Sequence, residues 1–330
     1  MGAKERDIRM KITNEMIYPE IRRAGVAMRK IFTYKNEQYF FRAQRTIKKI
    51  RGLMKPKNLK FAEKYIKTPE NLHLRLCICS AQSPQPNAIG LLWIHGGGFA
   101  IGTPELDVRF AEKFIDAANC VVILPDYRLS TEAPYPAAID DCYRALLWMR
   151  EHGEELGICT DQLFVGGDSA GGGLTAAVTL MARDKGKVKV AFQMPFYPML
   201  DDRMITESSR DNDAPLWNTR ANEMGWKMYL GDLYGTEKVP AYAAPARADN
   251  YAGLPPTYTF VGTIEPFYDE TKKYISDLQA AGVQAEIDVY PGCFHGFDNI
   301  CAKSEIARRA ARKYIEKFKY AAENYSAPQD

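Results

Sequence analysis

Three short segments carry residue types able to do covalent chemistry. Gly167-Asp168-Ser169-Ala170-Gly171 follows an apolar run ending at Val165 and precedes a helical run from Leu174. A serine set among small residues at a strand-to-helix turn has the form of a nucleophile elbow. The turn strains the serine backbone, and side chains at Gly167 and Gly171 would collide with neighbouring backbone. Ser169 Oγ is then presented above a sheet, with a helix N-terminus behind it where an oxyanion would form. His95-Gly96-Gly97-Gly98-Phe99 follows the run Leu91-Leu92-Trp93-Ile94. Successive glycines leave backbone N–H groups free to point into a cavity, and such donors stabilise a tetrahedral intermediate. A phosphate loop is the alternative, but neither a Lys-Ser/Thr pair nor G-x-G-x-x-G spacing is present. His95, ahead of the serine and beside the glycines, reads as a residue that orders the loop. Of the four histidines, His73 and His152 lie in no motif. That leaves His295, in Cys293-Phe294-His295-Gly296-Phe297, to take a serine proton near neutral pH.

A serine–imidazole pair is completed by a carboxylate, and if this is an α/β-hydrolase that acid lies between the two in chain order. Gly262-Thr263-Ile264-Glu265-Pro266-Phe267-Tyr268-Asp269-Glu270 is the best segment, directly after a strand-like run ending at Val261. Glu265 would sit at the carboxyl end of that strand, where it can hold the imidazole tautomer and stabilise the imidazolium. Asp269 is the alternative. With Glu270 it falls a turn later, where acids offset the dipole of a starting helix.

The elements that must position these groups follow a regular rhythm. Leu72–Cys79, Gly90–Ile94, Cys120–Leu124, Leu163–Val165, Val188–Phe192, Thr257–Val261 and Glu286–Tyr290 read as strands. Ala138–His152, Leu174–Arg183 and the spans 268–281 and 303–321 read as helices. The alternation predicts an α/β fold with a mostly parallel sheet covered by helices. The polar stretch 202–250, with Trp217, Trp226 and Tyr229, breaks the rhythm and reads as an insertion with a helix around Asn218–Leu230.

The chain has 330 residues, 46% hydrophobic and 26% charged, which excludes disorder, collagen and coiled coil. No apolar run approaches the ~18 residues of a membrane span. The first thirty residues are charged and lack an apolar h-region, so no secretory signal is expected. Met1-Gly2-Ala3-Lys4-Glu5-Arg6 puts Arg where a myristoylation motif has Ser or Thr. Seven cysteines without disulfide spacing point to a reducing cytoplasm. Residues 1–60 hold 17 Lys or Arg against 5 Asp or Glu, a net +12, while the remainder holds 27 against 36, a net −9. No nucleic-acid motif accompanies this basic arm, and its apolar residues (Ile8, Met10, Ile12, Phe32, Tyr39, Phe40 among them) recur at helical spacing, as in a solvated helical face. His73, Arg75, Cys77 and Cys79 share one face of a strand. They lack a second ligand pair, and Arg75 among them opposes a metal cation, so none is expected.

On these motifs the chain resembles the hormone-sensitive lipase family of α/β-hydrolases, which includes many bacterial carboxylesterases. His95-Gly96-Gly97-Gly98, Gly167-Asp168-Ser169-Ala170-Gly171-Gly172 and His295-Gly296-Phe297 carry the likeness, joined by Asp126-Tyr127-Arg128-Leu129, Tyr197-Pro198-Met199-Leu200-Asp201-Asp202-Arg203 and Leu254-Pro255-Pro256. It spans roughly residues 70–320. The resemblance implies Ser169 as nucleophile, His295 as base and an oxyanion hole from the N–H groups of Gly97, Gly98 and Ala170. It also implies a helical cap from residues 1–60 and about 203–240 over a catalytic domain of 61–202 and 241–330. The expected activity is hydrolysis of short-chain acyl esters through an acyl-enzyme, with no cofactor. Amide or formamide hydrolysis by the same triad is the second reading, and a non-catalytic ligand receptor on this fold the third. The partners expected are a small-molecule ester and, at most, a second copy of the chain as a homodimer. Two departures stand out. Ser130-Thr131 replaces the family's Ala-Pro. Glu265 stands where the family has Asp, and its extra methylene lets it reach His295 only if the loop sits back or the side chain folds.

Overall fold

The apolar runs of the sequence lie side by side in one sheet. The computed structural model describes residues 11–68 and 71–329. The stretch 1–10, with Ile8, Met10 and the Met1–Arg6 segment, lies outside the described residues. Helices α1 (Arg22–Ile31) and α2 (Gln38–Ile50) come first. Strands β1 (Lys60–Lys67), β2 (His73–Ser80) and β3 (Ala88–Ile94) follow, then α3 (Val108–Ala117), β4 (Cys120–Asp126) and α4 (Ala137–His152). Next come β5 (Ile158–Asp168), α5 (Ala170–Lys185), β6 (Phe192–Phe196) and α6 (Thr219–Leu230). The chain closes with β7 (Thr257–Gly262), α7 (Tyr268–Ala280), β8 (Ala285–Tyr290), α8 (Phe297–Ile300) and α9 (Glu305–Asn324).

The strand order is β1-β2-β4-β3-β5-β6-β7-β8. The β1–β2 and β2–β4 pairs are antiparallel and the other five parallel. The alternation of strands and helices predicts such a mostly parallel sheet, and the arrangement is the α/β-hydrolase fold that the resemblance implies. Each face of the sheet carries its own core. Leu74, Leu76, Leu92, Ile94, Val121 and Ile123 bury on one side with α4 and α5. Cys77, Cys79, Leu91, Trp93, Val122 and Leu124 bury on the other with α3 and α9. The period-2 alternation of a strand buried on both faces explains why these segments read as continuous apolar runs.

Several boundaries differ from those the sequence predicts. The strand expected at Val188–Phe192 lies at Phe192–Phe196. Gln193 and Pro195 argue against a buried strand locally, yet both are accommodated. Gln193 bonds Thr179, Thr257 and Tyr274, and the Thr259 hydroxyl donates to the Pro195 carbonyl. Strand β4 does not stop at Pro125 but runs to Asp126 beside β2. Its register with β3 ends at Ile123, so the missing proline N–H faces no β3 acceptor. Strand β5 and helix α5 are both longer than expected and meet at Ser169. Strand β1 and helix α3 are not among the predicted elements. Strand β1 is an exposed edge whose Lys60, Lys64 and Lys67 guard it against further pairing. In the insertion, Asn218 caps α6 by accepting from Ala221 N–H at 3.0 Å. No helix among the described residues is long and apolar enough to cross a membrane.

Candidate active site

Ser169 occupies the turn between β5 and α5 with φ 59° and ψ −120°. The strain is held from below. Its N–H donates to Phe196 O on β6 at 2.9 Å, and a Cβ on Gly171 would lie 2.0 Å from Ile94 O and 2.6 Å from His95 O. That close approach is what the second glycine of the elbow permits. It also locks the turn against the end of β3.

His295 Nε2 lies 2.8 Å from Ser169 Oγ, and His295 Nδ1 lies 2.5 Å from Glu265 Oε2. Since Glu265 accepts at Nδ1, Nε2 is free to accept from the serine hydroxyl. The Glu265 side chain folds back over its own turn, where Oε1 accepts the Gly262 N–H at 2.8 Å. This resolves the reach of the longer acid. The other oxygen is left to the imidazole. The two loops are stitched together: Thr263 N–H donates to Tyr290 O at 3.1 Å and Gly292 N–H to Thr263 Oγ1 at 2.9 Å. Gly262 makes their contact possible, because a Cβ there would stand 2.1 Å from Cys293 O. Glu265 is fully buried and His295 nearly so. Tyr197 and Phe267 meet the imidazole edge-on at centroid distances of 4.9 and 5.0 Å. Asp269 is committed elsewhere: its Oδ2 accepts the Ser208 N–H at 2.8 Å and its own N–H donates to Ser208 Oγ.

The glycine loop leaves β3 at His95 and curls over the elbow. No acceptor among the described residues takes the N–H of Gly97, Gly98 or Ala170. Four side chains shape this loop. Tyr127 stacks on His95 at 4.4 Å and its hydroxyl donates to His95 O at 2.9 Å. His95 Nδ1 in turn donates to Gly96 O at 2.8 Å, and burial pushes its pKa down, which favours the neutral ring. Asp168 Oδ1 accepts the Gly96 N–H at 2.8 Å. Burial, with Asp107 next to it, pushes Asp168 far above the usual carboxylate range. The Trp217 ring rests on Gly98, whose Cβ position is 2.2 Å from the ring. Gln44 of α2 pairs with Gly102. The roles of Trp217 and Gln44 carry no sequence signal, because both come from segments remote from the loop.

Residues of the N-terminal segment and of the insertion meet above the site. Tyr34 OH donates to Leu216 O at 2.6 Å, and Tyr34 and Phe40 lie 5.5 and 6.3 Å from Trp217. Away from the site, Glu63, Cys77 and Glu105 offer ligand atoms within 4.8 Å of one another. Arg75 Nη1 donates to all three, at 3.3, 3.1 and 2.8 Å, so a guanidinium is the cation at their centre. Cys293, two residues before His295, is fully buried, and burial pushes its thiol pKa up, away from a reactive thiolate.

Comparison with known proteins finds relatives of this chain. A family described by the α/β-hydrolase fold matches residues 91–299. The chain is 36% identical to esterase LipI of Mycobacterium tuberculosis over 214 residues, 64% of this chain and 67% of that protein. It is 34% identical to carboxylesterase NlhH of the same species over 236 residues, 70% of this chain and 73% of that protein. Among solved structures it is similar to a bacterial heroin esterase, with a TM-score of 0.85 and 34% identity over 94% of this chain and 99% of that one.

Proposed function

The chain belongs to the hormone-sensitive-lipase-like bacterial carboxylesterase family of α/β-hydrolases, and from that membership we propose that it is a serine carboxylesterase for short-chain acyl esters. The observation that carries the reading is the unbroken line Ser169 Oγ–His295–Glu265, at 2.8 and 2.5 Å. Ser169 Oγ attacks the ester carbonyl as His295 Nε2 takes its proton, and Glu265 stabilises the imidazolium. The N–H groups of Gly97, Gly98 and Ala170 receive the oxyanion, which is favoured because they donate to nothing else among the described residues. Collapse of the tetrahedral intermediate expels the alcohol with the proton from His295. Water, deprotonated by the same imidazole, then releases the carboxylic acid and restores the serine.

In this reading α1, α2 and the insertion around α6 form the cap. Trp217, packed over Gly98 and backed by Tyr34 and Phe40, supports a small acyl group rather than a long chain. All seven cysteines are free, which supports a reducing cytoplasmic setting. A panel of nitrophenyl esters from acetyl to dodecanoyl, with a matched anilide, tests the proposal. Turnover should peak among the short acyl chains, fall for the long ones and be far lower on the anilide. Ser169→Ala should abolish it in folded protein. Retained turnover in pure Ser169→Ala would overturn the nucleophile assignment, and an anilide cleaved as fast as its ester would overturn the substrate class.

A further inference from the structure

We propose that Gln44, on helix α2, is a positioning residue that holds the glycine loop in its oxyanion-binding shape. It makes transition-state stabilisation depend on the seating of an N-terminal helix. The proposal rests on the reading of Gly97 and Gly98 as oxyanion donors.

Gln44 Nε2 donates to Gly102 O at 2.9 Å, and Gly102 N–H donates to Gln44 Oε1 at 2.8 Å. The side chain is 6% exposed, so both bonds are shielded from water. A primary amide that donates to and accepts from one residue's backbone acts as a strand partner would, and no apolar side chain can do both. Gly102 is well chosen as the anchor. Its φ of +135° lies where side chains are strained, and a Cβ there would stand 2.4 Å from His95 Nδ1 and 2.8 Å from Gly96 O. Gly102 therefore backs directly onto the start of the same loop. Gly97 O accepts the N–H groups of Ala100 and Ile101, each at 3.1 Å, so the loop closes on itself between its donors and its anchor. Gln44 fastens the free end of that closed turn.

The same face of α2, with Arg51 just past its end, makes three other contacts. Phe40 is buried against Trp217 at 6.3 Å, Lys48 pairs with Glu132 at 2.5 Å, and Arg51 with Asp126 at 3.4 Å. The two ion pairs are partly exposed and hold the helix only weakly. Of the four, Gln44 alone bonds the backbone of the loop. Without it, the Gly102 N–H and C=O would be buried and unpaired, and the loop would relax to satisfy them. Donors preorganised for the oxyanion would then have to be reordered in the transition state, while ground-state binding would be little changed.

The test is steady-state kinetics of full-length Gln44→Met and Gln44→Glu on a short-chain nitrophenyl ester, with active sites counted by a phosphonate that labels serine. Gln44→Met should lose about 10- to 100-fold in kcat per labelled site, with KM within about twofold. A boronic acid that mimics the tetrahedral intermediate should weaken in parallel. Gln44→Glu supplies the distinguishing readout. A protonated carboxyl can donate to Gly102 O and accept from Gly102 N–H, whereas a carboxylate can only accept. The kcat of Gln44→Glu relative to the parent protein should therefore rise as pH falls from 8 to 5, and it decides the matter if Gln44→Met does not fold. Three results overturn the proposal: parent-like kcat per site in both variants, a rise in KM with kcat intact, or a Gln44→Glu ratio that is flat with pH. Failure of the esterase reading is separate, since the parent protein would then resist the phosphonate and ignore the ester.

Discussion

The elbow at Ser169 and the glycine loop from His95 to Gly102 border the same site but are held in opposite ways. The elbow is gripped by backbone. Its N–H reaches Phe196 O, and Gly171 lies against Ile94 O and His95 O, all on adjoining core strands or their ends. The loop is gripped by side chains from elsewhere: Tyr127 on His95, Asp168 on Gly96, Trp217 on Gly98 and Gln44 on Gly102. At its exit, Glu105 is fixed by two hydrogen bonds from the buried Arg75. A backbone grip cannot be adjusted without moving the sheet. A side-chain grip can be altered one contact at a time. Ser169 is therefore placed by the fold itself, whereas the free N–H groups of the glycine loop are placed by the parts around it.

Gly171→Ala puts this contrast to its hardest test. Its Cβ would fall 2.0 Å from a carbonyl oxygen of β3, which has no room to retreat. We expect loss of folded protein, seen as aggregation or a collapsed thermal transition. A stable, active Gly171→Ala would show that the elbow yields after all.

Glu265→Gln comes next, because Glu265 combines both kinds of grip: Oε1 on its own turn and Oε2 on a distant imidazole. With the fold retained, kcat should fall by about 10²–10⁴, the loss expected of a triad acid. Asp269→Asn, which touches Ser208 and not His295, should cost less than about tenfold by the same comparison. If the two effects are reversed, the acid is misassigned.

Gly98→Ala is the loop's counterpart to the elbow variant. Here the obstacle is a side chain, Trp217, 2.2 Å from the new Cβ. The protein should fold, bearing about 1–2 kcal/mol of strain from its φ of +60°, and lose about 10- to 100-fold in kcat. Adding Trp217→Leu should return part of that loss, so the double-mutant cycle shows coupling. Strict additivity would mean that Trp217 does not shape the loop.

Asp168→Asn gives the smallest effect and is read by pH. Burial, reinforced by Asp107, raises the native pKa of Asp168 well above its usual value. Above about pH 4 the unfolded chain has lost that proton while the native protein keeps it. Its contribution to stability therefore declines as pH rises, until the native group ionises. Asparagine carries no such proton and can still accept from the Gly96 N–H. Between pH 5 and 9 the Tm of Asp168→Asn should fall less steeply than that of the parent. The slope left over comes from Glu270 and Asp298, buried carboxyls that burial also shifts upward. Identical slopes would show that Asp168 is already ionised in the folded protein.

The elements legible in the sequence are those whose cause is local. Alternating apolar runs between helical stretches announce the α/β sheet, because strand and helix periods are short-range properties. Glycines around Ser169 and after His95 announce a strained turn and a donor loop for the same reason. The bounds of strand β6 were not legible, because Gln193 and Pro195 are tolerable only through Thr179, Thr257, Thr259 and Tyr274. Nor was edge strand β1, which buries little and so shows little periodicity.

By itself, then, the sequence determined which groups could react and in what order they occur, since each motif's geometry follows from the sterics of its own few residues. Only the tertiary structure put Glu265, and not Asp269, against His295, set a guanidinium at the centre of Glu63, Cys77 and Glu105, and brought Trp217 and Gln44 to the glycine loop. Those outcomes depend on which distant side chains meet, and a linear order of residues does not specify that until burial and hydrogen bonding select one packing.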